Sequence, residues 1–174
     1  MPDMCKEHLR KSIRLQSYDY SQAGAYYFTT NIKRKDIILA NIVEGKAHLT
    51  NEGKIVQECW LDLPNHYQDI FLDSYSIMPD HFHGIIVIVE LGEKEKAGKR
   101  ETSLSEIIRA FKSFSAKKIN YSHQTSGKAV WQRNYYEHVI KNETDWRRIT
   151  DYILTYPLNW ERGELNHTSN FPIF

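Results

Sequence analysis

At 174 residues, with 41% hydrophobic and 26% charged side chains, the chain has the length and balance of one soluble domain that buries a core without staples. Cys5 and Cys59 are the only cysteines, which excludes a disulfide framework and a cysteine-built zinc site. No run approaches the ~18 apolar residues of a membrane span. A reducing, cytoplasmic setting away from the membrane is therefore expected. The net charge of +1 excludes a polycation, yet Gly92 to Arg133 carries ten Lys/Arg against four Glu. That surplus either holds phosphates or solvates a helix face and a loop.

In chain order, residues 1–19 show no period and read as an extended lead-in. Ala25 to Ile32 (AYYFTTNI) is aromatic and β-branched and predicts the first strand. Lys33-Arg34-Lys35 then turns to solvent. Asp36 to Val43 and Lys46 to Thr50 flank Glu44-Gly45, the signature of a small hairpin. From Asn51 to Tyr67, Ile55, Val56, Cys59, Trp60 and Leu63 follow a helical period that Pro64 interrupts. Asp69 to Met78 alternates and leads through Pro79 into Phe82 to Val89. The latter run is apolar enough to belong in the middle of a sheet, and the two strands read as antiparallel neighbours.

His81 and His83 open that central strand. Strand side chains alternate, so both imidazoles point to one face, with Cα atoms roughly 6–7 Å apart, while Phe82 goes to the other. Two neutral imidazoles so placed can share a divalent metal. A chain with eight histidines also meets His-x-His by chance. What favours a site is the setting, since two polar rings at the mouth of an Ile/Val strand need a reason to be there.

Gly92 to Glu101 (GEKEKAGKRE) cannot bury anything, and a mobile loop is expected over 92–102. Ser103-x-x-Glu106 has the form of a capping box. The helix that follows, Leu104 to about Asn120, puts Leu104, Ile107, Ile108, Phe111, Ser115 and Ile119 on one side and Arg109, Lys112 and Lys117 toward the other. Val130 to Ile140 (VWQRNYYEHVI) predicts another strand. Asn142 with Asp145 starts a last helix, which Pro157 is expected to end, and the tail over 160–174 has little pattern. The order is that of an α+β domain of the ferredoxin-like kind, with helices on one face of an antiparallel sheet and a core over about 20–157.

On the last helix, Trp146, Ile149 and Ile153 form the stripe expected to pack on the sheet. Asp145, Arg148, Tyr152 and Tyr156 fall on a different stripe. A phenol on the rim of the packed face can reach the histidine strand if the helix lies across it. Tyrosine attacks only when its phenolate is stabilised or its electrophile activated, and a metal held by His81 and His83 could supply the second. With 11 tyrosines in the chain, packing alone would account for most of them.

The runs MPDHFHGIIVIV, VWQRNYYEHVI followed by KNE, and DYILTYPLNW resemble, in order and spacing, the REP-associated tyrosine transposases, a branch of the single-tyrosine HUH transposases. The opening IRLQSYDYSQAGAYYFTT is similar too, so the likeness runs from residue 13 to about 160. The resemblance implies a ferredoxin-like HUH domain that cuts and rejoins single-stranded DNA near palindromic hairpins. It implies that His81 and His83 hold Mg²⁺ or Mn²⁺ and that Tyr152 is the nucleophile, giving a 5′-phosphotyrosine and a free 3′-hydroxyl. One departure stands out. Where the family usually has an Asn or Gln four residues after the nucleophile, this chain has Tyr156, a poor ligand for a hard cation. Weaker metal binding, completion of the shell by Asp80 or water, and loss of activity are the alternatives.

Arg109, Lys112, Arg133, Asn134 and Arg148 are the candidates for DNA contact, although a strand with Trp131, Tyr135 and Val139 in the core needs no such role. His138 is a candidate for a place behind the site. Relatives with this chemistry include monomers and homodimers that exchange tyrosine helices, and the sequence leaves both open.

Overall fold

The computed structural model describes residues 22–90 and 102–163. The loop expected over 92–102, as far as residue 101, the lead-in and the tail beyond 163 lie outside the described residues. Strand β1 spans Gly24–Asn31, and β2 (Ala40–Val43) and β3 (Lys46–Leu49) form a separate hairpin. Its turn residues Glu44 and Gly45 have φ of 51° and 68°, the left-handed pair that a two-residue primed turn requires. Helix α1 (Asn51–Leu61) is capped by Thr50, whose side chain accepts from Gly53 N. The single turn α2 (Leu63–His66) resumes after the break at Asp62, with Pro64 in its first turn.

The main sheet has the order β4-β5-β1-β6, every pair antiparallel, with β4 at Ile70–Ile77, β5 at His81–Ile88 and β6 at Tyr136–Ile140. This is the ferredoxin-like order, and β5 and β1 are the two inner strands. Helix α3 (Leu104–Ser122) buries the six side chains its period predicts, and its cap Ser103 accepts from Glu106 N. Of the strand expected over 130–140 only the second half pairs continuously with β1. The first half touches the sheet through a lone bridge, Ile32 to Trp131.

Alternation along β1 and β5 sends side chains to two different cores. Tyr26, Phe28, Phe82 and Ile86 join Trp60 of α1 and Ile107, Ile108 and Phe111 of α3 in the larger one. Gly84 is needed there, because a Cβ would come within 2.9 Å of the Trp60 ring and 2.8 Å of Phe82. On the reverse face, Ala25, Tyr27, Ile85 and Ile140 pack against Ile149 and Ile153 of the last helix, α4 (Glu143–Glu161).

Two expectations are corrected here. The helices do not share one face, since α4 covers the side opposite α1 and α3. Nor does Pro157 end α4, which runs four residues further. Proline removes one intrahelical hydrogen bond but leaves helical φ intact, and tertiary contacts hold the extra turn. Glu161 accepts from Glu44 N at 3.0 Å and Gly45 N at 2.6 Å, and Leu158 packs so close to Gly45 that a Cβ there would lie 2.8 Å from Leu158 Cδ1.

Candidate active site

The tight turn before β5 fixes where the histidines emerge. Met78 N donates to His81 O at 2.9 Å, while the outward carbonyls of Asp80 and Pro79 accept from Ile32 N at 2.7 Å and Leu39 N at 2.9 Å. His81 and His83 then face α4, both with 0% exposure, and their Nε2 atoms lie 3.0 Å apart. For metal–nitrogen bonds of about 2.1 Å, nitrogens at that separation subtend roughly 90° at a shared cation, the bite of two neighbouring ligands in an octahedron.

Burial, and then the neighbouring His81 ring, push His83 well below the ordinary imidazole range, so it is neutral and able to ligate. The donor set thus fits a divalent cation through two imidazoles. Among the described residues no third His, Cys, Asp or Glu joins them. The Asp80 carboxylate is placed differently from the alternative raised above. It bonds His81 Nδ1 at 2.6 Å, on the far side of the ring from Nε2, and so orients that ring.

Helix α4 lays a row of aromatic rings over the pair. The Tyr156 ring stands 4.4 Å from His83 and 5.3 Å from His81, the Tyr152 ring 5.9 Å from His83 and 5.0 Å from Tyr156, and Trp160 5.5 Å from His81. Tyr156 is buried, while Tyr152 remains partly exposed at the rim. Burial, with the neighbouring Tyr27 and Tyr156 phenols, raises Tyr152 above its ordinary value, so the resting site holds it as the neutral phenol. A phenolate there needs a positive charge brought close.

The start of α4 is tied down independently. Asn142 caps it by accepting from Asp145 N at 2.9 Å. Asp145 binds His138 Nε2 at 2.9 Å through one carboxylate oxygen and Arg148 at 2.7 Å through the other. His138 therefore clamps β6 to α4, and stands directly across from Tyr27 of β1.

These observations place Tyr152, Tyr156, His81, His83 and Asp80 together within one chain. No family model matches the chain. It is 33% identical to an uncharacterized protein of Haemophilus influenzae, over 91% of this chain and 93% of that protein. It is also 22% identical to a REP-associated tyrosine transposase of Escherichia coli K12, over 88% of this chain and 76% of that protein. The solved structure of a REP-associated tyrosine transposase bound to a REP hairpin superposes with a TM-score of 0.56 at 22% identity, covering 89% of this chain and 78% of that one. The chain is thus similar to the REP-associated tyrosine transposases in sequence and in fold.

The residues expected to contact DNA are scattered. Arg148 lies one turn before Tyr152 on the site's helix, engaged with Asp145. Arg133 and Asn134 are exposed just before β6, and Arg109 is exposed on α3, across the sheet from the imidazoles. Lys112 turns toward its own chain. Its ammonium donates to the carbonyls of Gln132 at 2.7 Å and Arg133 at 3.2 Å, and burial pushes it down to about 8. Two sets of site residues escaped the sequence reading. Trp160 follows Tyr152 and Tyr156 at the same four-residue spacing and was lost by stopping the helix at Pro157. Tyr27 and Thr29, which contact His83, carry no local signal.

Proposed function

We propose that the protein is a metal-dependent DNA strand transferase that cleaves and rejoins single-stranded DNA beside hairpins through a covalent tyrosine intermediate. The observation that carries this reading is the Tyr152 ring set 5.9 Å from His83 by a helix from the far end of the chain. The hairpin in the related structure's complex supports hairpin DNA as the partner. In the cleavage step the Tyr152 oxygen bonds to the scissile phosphorus as the bond to the 3′-oxygen breaks. The phenolic proton ends, net, on the 3′-hydroxyl, and the other strand end stays as a 5′-phosphotyrosine. Phosphodiester is exchanged for phosphodiester, so rejoining needs no further energy source.

His81 and His83 would hold Mg²⁺ or Mn²⁺, which when bound supplies Lewis-acid polarisation of a phosphate oxygen and a charge that favours the phenolate. The chain's own part is to keep the His83 imidazole neutral, to aim His81 by Asp80, and to present the phenol from a helix clamped at both ends. A hairpin oligonucleotide with its flanking strand, incubated with protein and Mg²⁺ or Mn²⁺, is expected to give a covalent adduct that Tyr152→Phe abolishes. Adduct formation that survives the substitution removes Tyr152 from the role.

One observation favours a second reading, a hairpin-binding protein of the same fold without turnover. Tyr156 fills the space against both imidazoles where the family motif supplies an Asn or Gln. In that case hairpin binding persists in EDTA, no adduct forms, and Tyr156→Asn restores one.

A further inference from the structure

His83 is held from behind by two hydroxyls. Thr29 stands directly across from it on β1, with Oγ1 3.1 Å from His83 Nδ1. The Tyr27 hydroxyl is also 3.1 Å from that nitrogen, and Thr29 Oγ1 donates to it at 2.8 Å. The Tyr27 ring lies 6.1 Å from the imidazole at an interplanar angle of 20°, and all three residues are buried. His81 is held differently, by the Asp80 carboxylate on its Nδ1.

The difference has a chemical consequence. A carboxylate only accepts, so His81 carries its hydrogen on Nδ1 and presents a bare Nε2. Between two neutral rings, the 3.0 Å contact of the Nε2 atoms then takes its hydrogen from His83. His83 Nδ1 is left bare and accepts from a hydroxyl. A cation between the two Nε2 atoms demands the other tautomer, with the His83 hydrogen on Nδ1. A hydroxyl turns about its C–O bond and can donate or accept, so the Thr29–Tyr27 pair serves both arrangements. A second carboxylate would serve only one.

We propose that Tyr27 and Thr29 are positioning residues that orient His83 and let it exchange between two neutral tautomers, one for the cation-free pair and one for the pair holding a divalent cation. The hydrogen moves from Nε2 to Nδ1 with no change in ring charge, and the hydroxyl at Nδ1 changes from donor to acceptor. The cation-holding half rests on the metal reading given under Proposed function, whereas the metal-free half stands without it.

The test uses the whole chain labelled with ¹⁵N-histidine, at about pH 8, above the ordinary imidazole range. Without metal, two-bond ¹H–¹⁵N spectra are expected to show hydrogen on His81 Nδ1 and His83 Nε2. The His83 Nδ1 signal is expected to lie at the position of a hydrogen-bonded acceptor and to move downfield in Tyr27→Phe/Thr29→Val, which removes both hydroxyls. On Mg²⁺ addition the parent is expected to shift the His83 hydrogen to Nδ1. The double variant is expected to bind Mg²⁺ roughly tenfold or more weakly, with its circular dichroism unchanged. Hydrogen on His83 Nδ1 in the metal-free parent, or an Nδ1 signal that ignores the double substitution, overturns the proposal. Equal Mg²⁺ affinity of parent and double variant overturns it while leaving the proposed function intact. A parent that binds no Mg²⁺ overturns the metal reading itself and the tautomer exchange with it.

Discussion

The two faces of the sheet are made by the same strands and built from different chemistry. Phe28 and Phe82 face α1 and α3, where with Trp60, Phe111 and Trp131 they form an aromatic core whose nearest ring centroids are 4.9 Å apart. Their sequence neighbours Thr29 and His83 face α4, into a layer of hydroxyls, phenols and imidazoles. One face gains stability from apolar area removed from water. The other sets a smaller aliphatic cluster beside buried polar groups that pair with one another, and the polar part contributes far less to stability, which leaves it free to carry chemistry. On the first face Trp131 Nε1 donates to Ser115 Oγ at 2.9 Å, whereas Trp60 Nε1 is buried without a hydrogen-bond partner.

The largest effect that tests this division comes from the aromatic side. Phe111→Ala removes a fully buried ring that meets Phe28, Phe82, Trp60 and Trp131, and a loss of about 3–5 kcal/mol is expected in urea unfolding. Tyr152→Phe, which deletes one hydroxyl from a partly exposed ring, is expected to cost less than about 1.5 kcal/mol while eliminating the DNA adduct. Comparable losses from the two substitutions would erase the distinction between the faces.

The join between β6 and α4 belongs to neither face and predicts an intermediate effect. Burial pushes the Asp145 carboxyl up, but hydrogen bonds from His138, Arg148 and Lys141 N outweigh that and leave it below the ordinary carboxylate value. Asp145→Asn is expected to cost about 1–3 kcal/mol, because two charge-assisted bonds are lost from a side chain only 10% exposed. A carboxyl lowered by folding stabilises above its unfolded pKa, and that contribution fades as pH falls through the folded value. The variant's deficit should therefore shrink in acid, read as converging melting temperatures.

How much of this was legible follows from contrast along the chain. The stripe of α3 was readable because its apolar and charged sides differ, and the histidines because polar rings interrupt an Ile/Val strand. The side of the sheet that α4 covers was not readable, since β1 and β5 are buried on both faces and neither shows a solvent side that would orient them. For the same reason nothing in AYYFTT separates Tyr27, which touches His83, from Tyr26, whose hydroxyl donates to Gln22 O at 2.7 Å. Pro157 misled because the rule for proline concerns the helix alone. Here the hairpin turn, distant in sequence, holds the last turn of α4.

A smaller effect separates the faces by pH. His83 is held below its ordinary value by burial and by His81. As pH falls through about 6.5, the unfolded chain takes up a proton at this residue that the folded chain refuses, so stability rises with pH in that window. His83→Asn should flatten that slope of melting temperature against pH, and a slope that survives the substitution unchanged would place the titration outside the site.

The smallest expected effect is local, at the clasp that carries α4 past Pro157. Glu161 holds the two turn amides of the β2–β3 hairpin from an exposed position, so its removal should leave global unfolding nearly unchanged. Glu161→Ala frees those amides to water, and hydrogen exchange at Glu44 and Gly45 is expected to quicken several-fold while the β1 and β5 amides keep their rates. The reach of the change along α4 is the informative part. If it ends at Leu158, the clasp secures only the final turn, and the Asp145 clamp alone fixes Tyr152. If exchange also quickens at Ile153 and Tyr156, the last turn is braced against the imidazole pair through Trp160, and the hairpin helps hold the phenols in place.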